Sequence, residues 1–152
     1  MVFNPGSLRE SAITRLRRLL ARLEETVGPL KQWLKILLMD RGYWGTDLFC
    51  EIKQDYGIDF VSRVRDEKME INQVIEREIG QPKRVWSQQW EEREFSGRKE
   101  KQQVLTTVLP PQLLVSDRTE RAIEVNLVVA QQRHEDGSPI LNKKGKDISW
   151  TT

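Results

Sequence analysis

Cysteine is nearly absent from this sequence of 152 residues, in which Cys50 stands alone. A single thiol excludes an internal disulfide, and a reducing cytosol is the simplest compartment for such a chain. Long apolar runs are also lacking, since none approaches the roughly 18 residues of a membrane-spanning helix. The first nine residues lack the apolar core of a signal peptide. The sequence therefore predicts a soluble, cytoplasmic protein with no membrane partner.

An excess of charge of one sign is lacking too. The 25 lysines and arginines face 23 aspartates and glutamates, which leaves a net charge of +2. This mildly basic balance does not decide for or against a nucleic-acid partner. Charged residues make up 32% of the chain and hydrophobic residues 38%, so the core must come from a few concentrated apolar runs. Such a composition fits one domain with a modest core, or part of a larger one.

The first apolar pattern is typical of an amphipathic helix. Ser7 and Glu10 form a capping box that predicts a helix start at about Leu8, and Gly28 followed by Pro29 predicts its end. Apolar residues recur at spacings of three and four, namely Leu8, Ala12, Leu16, Leu19, Leu20, Leu23 and Val27. We expect this stripe to cover one face of a small sheet with Leu16, Leu20, Leu23 and Val27.

Arginines fill much of the remaining surface of this helix, among them Arg15, Arg18 and Arg22. Several such side chains can neutralise DNA phosphates and give weak, sequence-independent binding. Glutamates on the same helix favour the other interpretation, an ordinary solvated face with i,i+4 charge pairs. Both interpretations remain open from the sequence.

A strand, a helix and a second strand follow with short connections. Leu34–Met39 is an apolar run broken only by Lys35, which is typical of a strand buried on both faces of a parallel sheet. Thr46 or Asp47 can cap the next helix, whose inner face is predicted to be Leu48, Phe49, Ile52 and Tyr56, with Gly57 as its terminator. Ile58–Val64 is the second strand. This βαβ pattern predicts two parallel, adjacent or near-adjacent strands.

The rest of the chain changes character after one more helix, expected between Asp66 and Ile79 and ended by Gly80 and Pro82. Stretches rich in β-favouring residues then alternate with turn signals: Arg84–Phe95, Gln103–Leu109 and Ile123–Ala130. Asp136 and Gly137 predict a hairpin turn, and Ile148–Thr152 reads as a strand cut off at its end. This half is expected to form a separate antiparallel layer.

Asp40 is the position that points to chemistry. It ends the apolar run abruptly, and ligands in open α/β sheets lie outside the carboxyl ends of the strands. Gly42 and Gly45 are expected to turn the backbone away and leave the carboxylate exposed rather than hydrogen-bonded into a helix. An exposed carboxylate there suits a metal ligand, and a helix cap or turn residue is the alternative.

Two segments in this order carry a family resemblance. Leu37–Gly45 reads L-L-M-D-R-G-Y-W-G, and after the helix residues 57–65 read G-I-D-F-V-S-R-V-R. This arrangement resembles the DDE transposases of bacterial insertion sequences, in which an apolar strand ends in the second catalytic aspartate of a ribonuclease H-like domain. The resemblance implies that Asp40 is that aspartate. The β-rich stretch from Lys83 is similar to the insertion that many of these enzymes carry before their final glutamate.

The resemblance implies an α/β fold, with a partial ribonuclease H-like βαβ core at residues 1–80 and a truncated β-rich insertion at residues 81–152. It also implies Mg²⁺ or Mn²⁺ at Asp40 and DNA as a partner. Because of their charge, Arg15, Arg18, Arg22 and Arg41 are the candidates for weak DNA contacts. The family's first aspartate and its Y-x-x-R-x-x-x-E glutamate have no counterpart among these residues. We therefore expect a transposase fragment that does not bind metal stably or act alone. A non-catalytic protein that binds DNA, self-associates or interferes with full-length transposase is the alternative.

Three further features have plainer explanations. Trp86 and Trp90 can stack on unpaired bases, although a spacing of four favours packing on one helical face. His134, Glu135 and Asp136 are potential metal ligands, but adjacent residues do not converge on one ion. The lysines at 143, 144 and 146 can hold DNA or keep a loop soluble.

Overall fold

The computed structural model describes residues 11–64, 69–141 and 149–151. Contacts divide the chain into two compact units. The first comprises Met1–Ser62 together with Val115–Ala122, and the second comprises Arg63–Leu114 and Ile123–Thr152. The predicted boundary between residues 80 and 81 rests on the family resemblance and stays a prediction.

The first unit is an α/β arrangement built around two parallel strands. Its elements are α1 (Ala12–Val27), a 3₁₀ turn (Leu30–Gln32), β1 (Ile36–Met39), a second 3₁₀ turn (Arg41–Tyr43), α2 (Thr46–Cys50), a π-helical segment (Glu51–Asp55) and β2 (Asp59–Ser62). Strands β1 and β2 pair in parallel, with Ile36 opposite Asp59 and Met39 opposite Ser62. The predicted βαβ unit and its α/β class are confirmed.

Helix α1 starts later than the sequence predicts. Ser11 has an extended backbone, and its hydroxyl accepts a hydrogen bond from the Thr14 N–H at 3.2 Å, so Ser11 is the N-cap. A start at Leu8 is therefore wrong, and the capping box of Ser7 and Glu10 lies outside the described residues. The predicted end is confirmed, because Gly28 has φ +81° and its N–H bonds to the Glu24 carbonyl.

Burial in this unit is one-sided, in contrast to the prediction. Ile36, Leu38 and Val61 point to the same face of the β1–β2 pair and are 55%, 75% and 43% exposed. The opposite face contains Met39 and Ser62, which are buried. A strand buried on both faces is thus wrong for the described residues. On α1, Leu20 is buried, whereas Leu23 and Val27 are exposed, so only part of the predicted stripe is buried.

The helix after β1 buries three of the four predicted side chains, whereas Tyr56 is only partly buried. Leu48, Phe49 and Ile52 are at most 1% exposed, and Gly57 ends the segment with φ +69°. The cap differs from the prediction, because Gly45 is the N-cap and makes no side-chain bond, so neither Thr46 nor Asp47 fills that role. Leu48, Phe49 and Ile52 share a face by the 3.6-residue period, which is why this face could be predicted.

The second unit is mainly antiparallel. Helix α3 (Met69–Ile79) precedes β3 (Ser87–Phe95), β4 (Arg98–Val108), β7 (Val128–His134) and β8 (Ser149–Thr151), which form one sheet in the order β3-β4-β7-β8. The predicted turn at Asp136 and Gly137 is present, with Gly137 at φ +83°. Trp90 lies in β3 rather than on a helix, so the helical packing predicted for Trp86 and Trp90 is wrong.

A hairpin that was not predicted from the sequence comes between β4 and β7 in the chain. Its strands are β5 (Gln112–Val115) and β6 (Ala122–Val125), which pair with each other. Its tip, Val115–Ala122, belongs to the first unit. None of the described helices is long and apolar enough to cross a membrane.

Candidate active site at the carboxyl end of β1

Asp40 lies directly after β1, outside the carboxyl end of the strand and exposed to solvent. Its backbone is still extended, and its Oδ1 accepts a hydrogen bond from the Arg41 N–H at 2.7 Å. The carboxylate therefore caps the short 3₁₀ turn, which corrects the expectation that it makes no such bond. A carboxylate has about four acceptor sites, so one amide bond leaves capacity for a ligand.

The backbone turn after Asp40 does not depend on glycine. The Tyr43 N–H donates to the Asp40 carbonyl at 3.0 Å, and the Trp44 N–H donates to the Arg41 carbonyl at 3.2 Å. Neither Gly42 nor Gly45 has a positive φ, and a Cβ on Gly42 would meet open space. The turn is a hydrogen-bonded 3₁₀ structure, so the predicted role of the two glycines is wrong.

An aromatic stack joins this turn to the helix and strand behind it. Trp44 meets Phe49 of α2 edge to face, with ring centroids 5.0 Å apart. Phe49 stacks on Phe60 of β2 at 4.4 Å. Phe49 is only 1% exposed, and both arrangements are favourable geometries for aromatic pairs. The backbone that carries Asp40 is thus packed against α2 and β2.

Four other carboxylates of this unit are engaged by side chains. Glu51 pairs with Arg17 at 2.8 Å, Asp55 pairs with Arg121 at 2.7 Å, and Asp59 pairs with Lys53. Hydrogen bonds from Ser116 and Thr119 lower the pKa of Asp47, and the hydrogen bond from Arg121 lowers the pKa of Asp55. These carboxylates are held in place as structural acceptors.

A carboxylate oxygen is a hard ligand of the kind that Mg²⁺ and Mn²⁺ prefer, and Asp40 fits this role as a single ligand. Across the described ranges, no three His, Cys, Asp or Glu residues are grouped closely enough to hold a metal ion. His134 instead lies with its Nδ1 3.1 Å from Glu100, and Asp136 accepts from the Ser138 N–H and hydroxyl.

The candidate DNA contacts lie on α1 and beside Asp40. Arg15, Arg18 and Arg22 follow a three and four spacing, so they share one helix face, and all three are exposed. Arg41 is exposed in the turn next to Asp40. Arg17, on the same helix, forms an ion pair with Glu51, which raises the pKa of its guanidinium. Arg41 follows Asp40 directly in the sequence, so its place beside Asp40 owes nothing to the fold.

The sequence prediction missed the residues that the hairpin tip brings to this unit. Arg121 reaches Asp55 and Thr119 reaches Asp47, across separations of 66 and 72 residues. No local pattern signals such pairs, because arginine, threonine and aspartate are ordinary surface residues at any single position.

The chain matches the family model of the transposase DDE domain over residues 5–135. It belongs to the transposase DDE domain family. No curated protein and no solved structure matches it. The family match spans α1, the βαβ unit with Asp40, and most of the β-rich half, which accords with the resemblance found in the sequence.

Proposed function

We propose that this chain is part of the catalytic domain of a DNA transposase and contributes Asp40 as one of its metal-binding carboxylates. The observation that carries the proposal is the place of Asp40. In a chain of the transposase DDE domain family, it follows the first strand of a parallel pair and is exposed at the carboxyl end. That is where α/β sheets bind their ligands.

Divalent metal ions would supply the activation and charge stabilisation that phosphodiester cleavage and strand transfer need. Asp40 would provide an oxygen ligand, and its bond to the Arg41 N–H would fix the carboxylate against the turn. The exposed guanidiniums of Arg15, Arg18, Arg22 and Arg41 would attract the phosphate backbone of DNA. Each of these roles follows from the chemistry of the side chain and from its exposure.

We further propose that the 152 residues do not cleave DNA by themselves. A pair of metal ions needs several carboxylates, and the resemblance assigns only Asp40 to that set. The purified chain is expected to leave supercoiled plasmid intact with Mg²⁺ or Mn²⁺. Metal-dependent nicking that disappears in Asp40→Ala would refute the inactivity while supporting the role of Asp40.

The role of Asp40 is tested by paramagnetic broadening of amide resonances during a Mn²⁺ titration. We expect weak binding that broadens the amides of residues 40–44 first, and loss of this effect in Asp40→Asn. Asp59→Asn is the matched control, because Asp59 begins β2 and pairs with Ile36 at the opposite end of the same strand pair. Broadening that persists in Asp40→Asn, or that is lost equally in Asp59→Asn, would overturn the proposal.

A further inference from the structure

The tip of the β5–β6 hairpin, Val115–Ala122, contacts the helical segment that follows Asp40, namely α2 and the π-helical residues Glu51–Asp55. Arg121 forms a two-pronged ion pair with Asp55, with Nη2 to Oδ1 at 2.7 Å and Nη1 to Oδ2 at 3.0 Å. Its Nη2 also donates to Gln54 Oε1 at 2.9 Å, and the Gln54 side-chain amide donates back to the Ala122 carbonyl at 2.8 Å. A bidentate arginine–carboxylate pair, or fork, fixes the orientation of the guanidinium relative to the carboxylate as well as the distance between them.

A second contact holds the other end of the same segment. The Thr119 hydroxyl donates to Asp47 Oδ1 at 2.9 Å, in the first turn of α2. Thr119 is itself held within the tip, because its N–H donates to the Ser116 hydroxyl at 3.2 Å. The tip therefore contacts the start of α2 through Asp47 and the end of the π-helical segment through Asp55.

The segment between these two contacts, Glu51–Asp55, is π-helical. Such segments are rare and depart from the regular i to i−4 bonding of the backbone. The Tyr56 N–H bonds to the Glu51 carbonyl, five residues back. Arg121 Nη2 approaches the Cys50 carbonyl, where the α-helical and π-helical segments meet, at 3.5 Å. Arg121 thus offers a donor at the junction where the helix changes its bonding.

Packing connects the helical segment that Arg121 and Thr119 contact to the turn that carries Asp40. Phe49 of α2 contacts Trp44, and Trp44 closes the 3₁₀ turn through its N–H bond to the Arg41 carbonyl. Movement of α2 would shift Phe49 and with it the support of the turn. We propose that Arg121 is a positioning residue, which fixes α2 through Asp55 and thereby holds the Asp40 turn in one conformation.

We call the contacts of Arg121 and Thr119 with this helical segment the clamp. That the clamp holds the Asp40 turn is inferred from contacts alone, and only its importance for catalysis rests on the proposed function of Asp40. Its test accordingly needs neither metal nor DNA. Amide hydrogen exchange is measured on the full chain for Tyr43 and Trp44 in the turn, Tyr56 in the π-helical segment, and Leu109. Leu109 is a reference, since its N–H bonds to the Leu127 carbonyl in the second unit.

Arg121→Gln is expected to speed exchange at Tyr43, Trp44 and Tyr56 by roughly threefold to tenfold, as fits a partly exposed charged network. Exchange at Leu109 should change by less than about twofold, because opening in one region need not involve another. Arg121→Lys keeps the charge but cannot form the fork, so its exchange rates at these amides should lie between those of the parent chain and Arg121→Gln. Arg118→Gln is the matched control, since it removes an arginine of the same tip whose charge acts on Asp47 and not on Asp55, and it should change the three amides far less than Arg121→Gln does.

Three results would overturn the proposal. Equal acceleration at all four amides would show that Arg121 contributes only to global stability. Acceleration at Tyr56 alone would show that the clamp does not reach the Asp40 turn. An effect of Arg118→Gln as large as that of Arg121→Gln would remove the role of the fork. If Arg121→Gln does not fold, Thr119→Val tests the same idea, with smaller acceleration expected at Tyr43 and Trp44 and none at Leu109.

Discussion

At the scale of single residues, Asp40 is a cap and is also exposed, although the sequence presented capping as the alternative to an exposed metal ligand. It caps a 3₁₀ turn through the Arg41 N–H, and it stays exposed at the carboxyl end of β1. A cap bond to one oxygen does not prevent a carboxylate from binding a ligand, because the other acceptor positions remain. The bond instead restricts the orientation of the Asp40 side chain, which would favour the metal-binding role proposed for it.

Gly57 offers a test of backbone conformation between the π-helical segment and β2. Its φ is +69°, and a Cβ there would lie 3.5 Å from the Lys31 side chain, an ordinary contact distance. Strain rather than a clash should therefore dominate in Gly57→Ala. We expect a loss of about 1–2 kcal/mol in the free energy of unfolding, the usual cost of a left-handed conformation with a side chain. Urea denaturation measures it.

Gly42→Ala is the control for that measurement, because Gly42 lies in the 3₁₀ turn without a positive φ and has open space around it. Its free energy of unfolding should stay within about 0.5 kcal/mol of the parent chain, as is usual for surface substitutions. Equal losses in both variants would show that the conformation of Gly57 is not the cause.

At the scale of elements, α1 has a wider apolar stripe than its unit buries. Leu20 is buried, while Leu19, Leu23 and Val27 are exposed. The three and four spacing predicts which side chains share a face, and it does not set how much of that face finds a partner. On another side of the helix, Arg15, Arg18 and Arg22 form a separate basic row.

That basic row predicts weak, salt-sensitive DNA binding without sequence preference. Each phosphate neutralised on B-DNA contributes about −0.9 to the slope of log K against log salt. Replacing Arg15, Arg18 and Arg22 together by glutamine should make this slope shallower by up to about 2.7, which is three phosphate contacts at about 0.9 each. Fluorescence anisotropy with duplex DNA measures the slope. The control replaces Arg98, Lys99 and Lys101 of β4 by glutamine, which removes the same charge from the second unit and should change the slope little.

Sequence-specific binding that persists at high salt would contradict this prediction. So would a slope that the control triple changes as much as the α1 triple does, because the effect would then follow net charge rather than the α1 row.

At the scale of the whole molecule, the apolar face of β1 and β2 is the surface most expected to cause association with other chains. Ile36, Leu38 and Val61 lie exposed on a strand pair whose edges have no further strand among the described residues. Exposed apolar edge strands are templates for association with other chains. We expect the isolated protein to self-associate as its concentration rises, and Leu38→Lys to reduce this association in sedimentation velocity experiments.

Leu113→Lys is the comparison for Leu38→Lys, because Leu113 is similarly exposed, at 65%, but lies in the β5–β6 hairpin. It should leave the association largely unchanged. A monomer at every concentration in the parent chain, or equal relief by both lysine variants, would show that the β1–β2 face does not drive association.

The order of elements in the first unit could be predicted because its signals are local. The apolar run before Asp40, the inner face of α2 and the glycines at 28 and 57 depend on neighbouring residues and on fixed periods of 3.6 and 2. The parallel pairing then follows from the short βαβ connection. The sequence by itself thus determined that a carboxylate ends the first of two parallel strands, and its motifs placed the chain among the transposases.

Only the tertiary structure decided which side chains are covered and which distant residues meet. Leu38 and Leu48 are the same residue type, yet one is exposed and the other is buried. Arg121 reaches Asp55 across 66 residues of chain. Such contacts depend on the free energy of packing the whole chain, in which many weak interactions compete with conformational entropy. No segment carries that balance alone, so the contacts of Arg121 and Thr119 with the helical segment after Asp40 could be found only in the folded molecule.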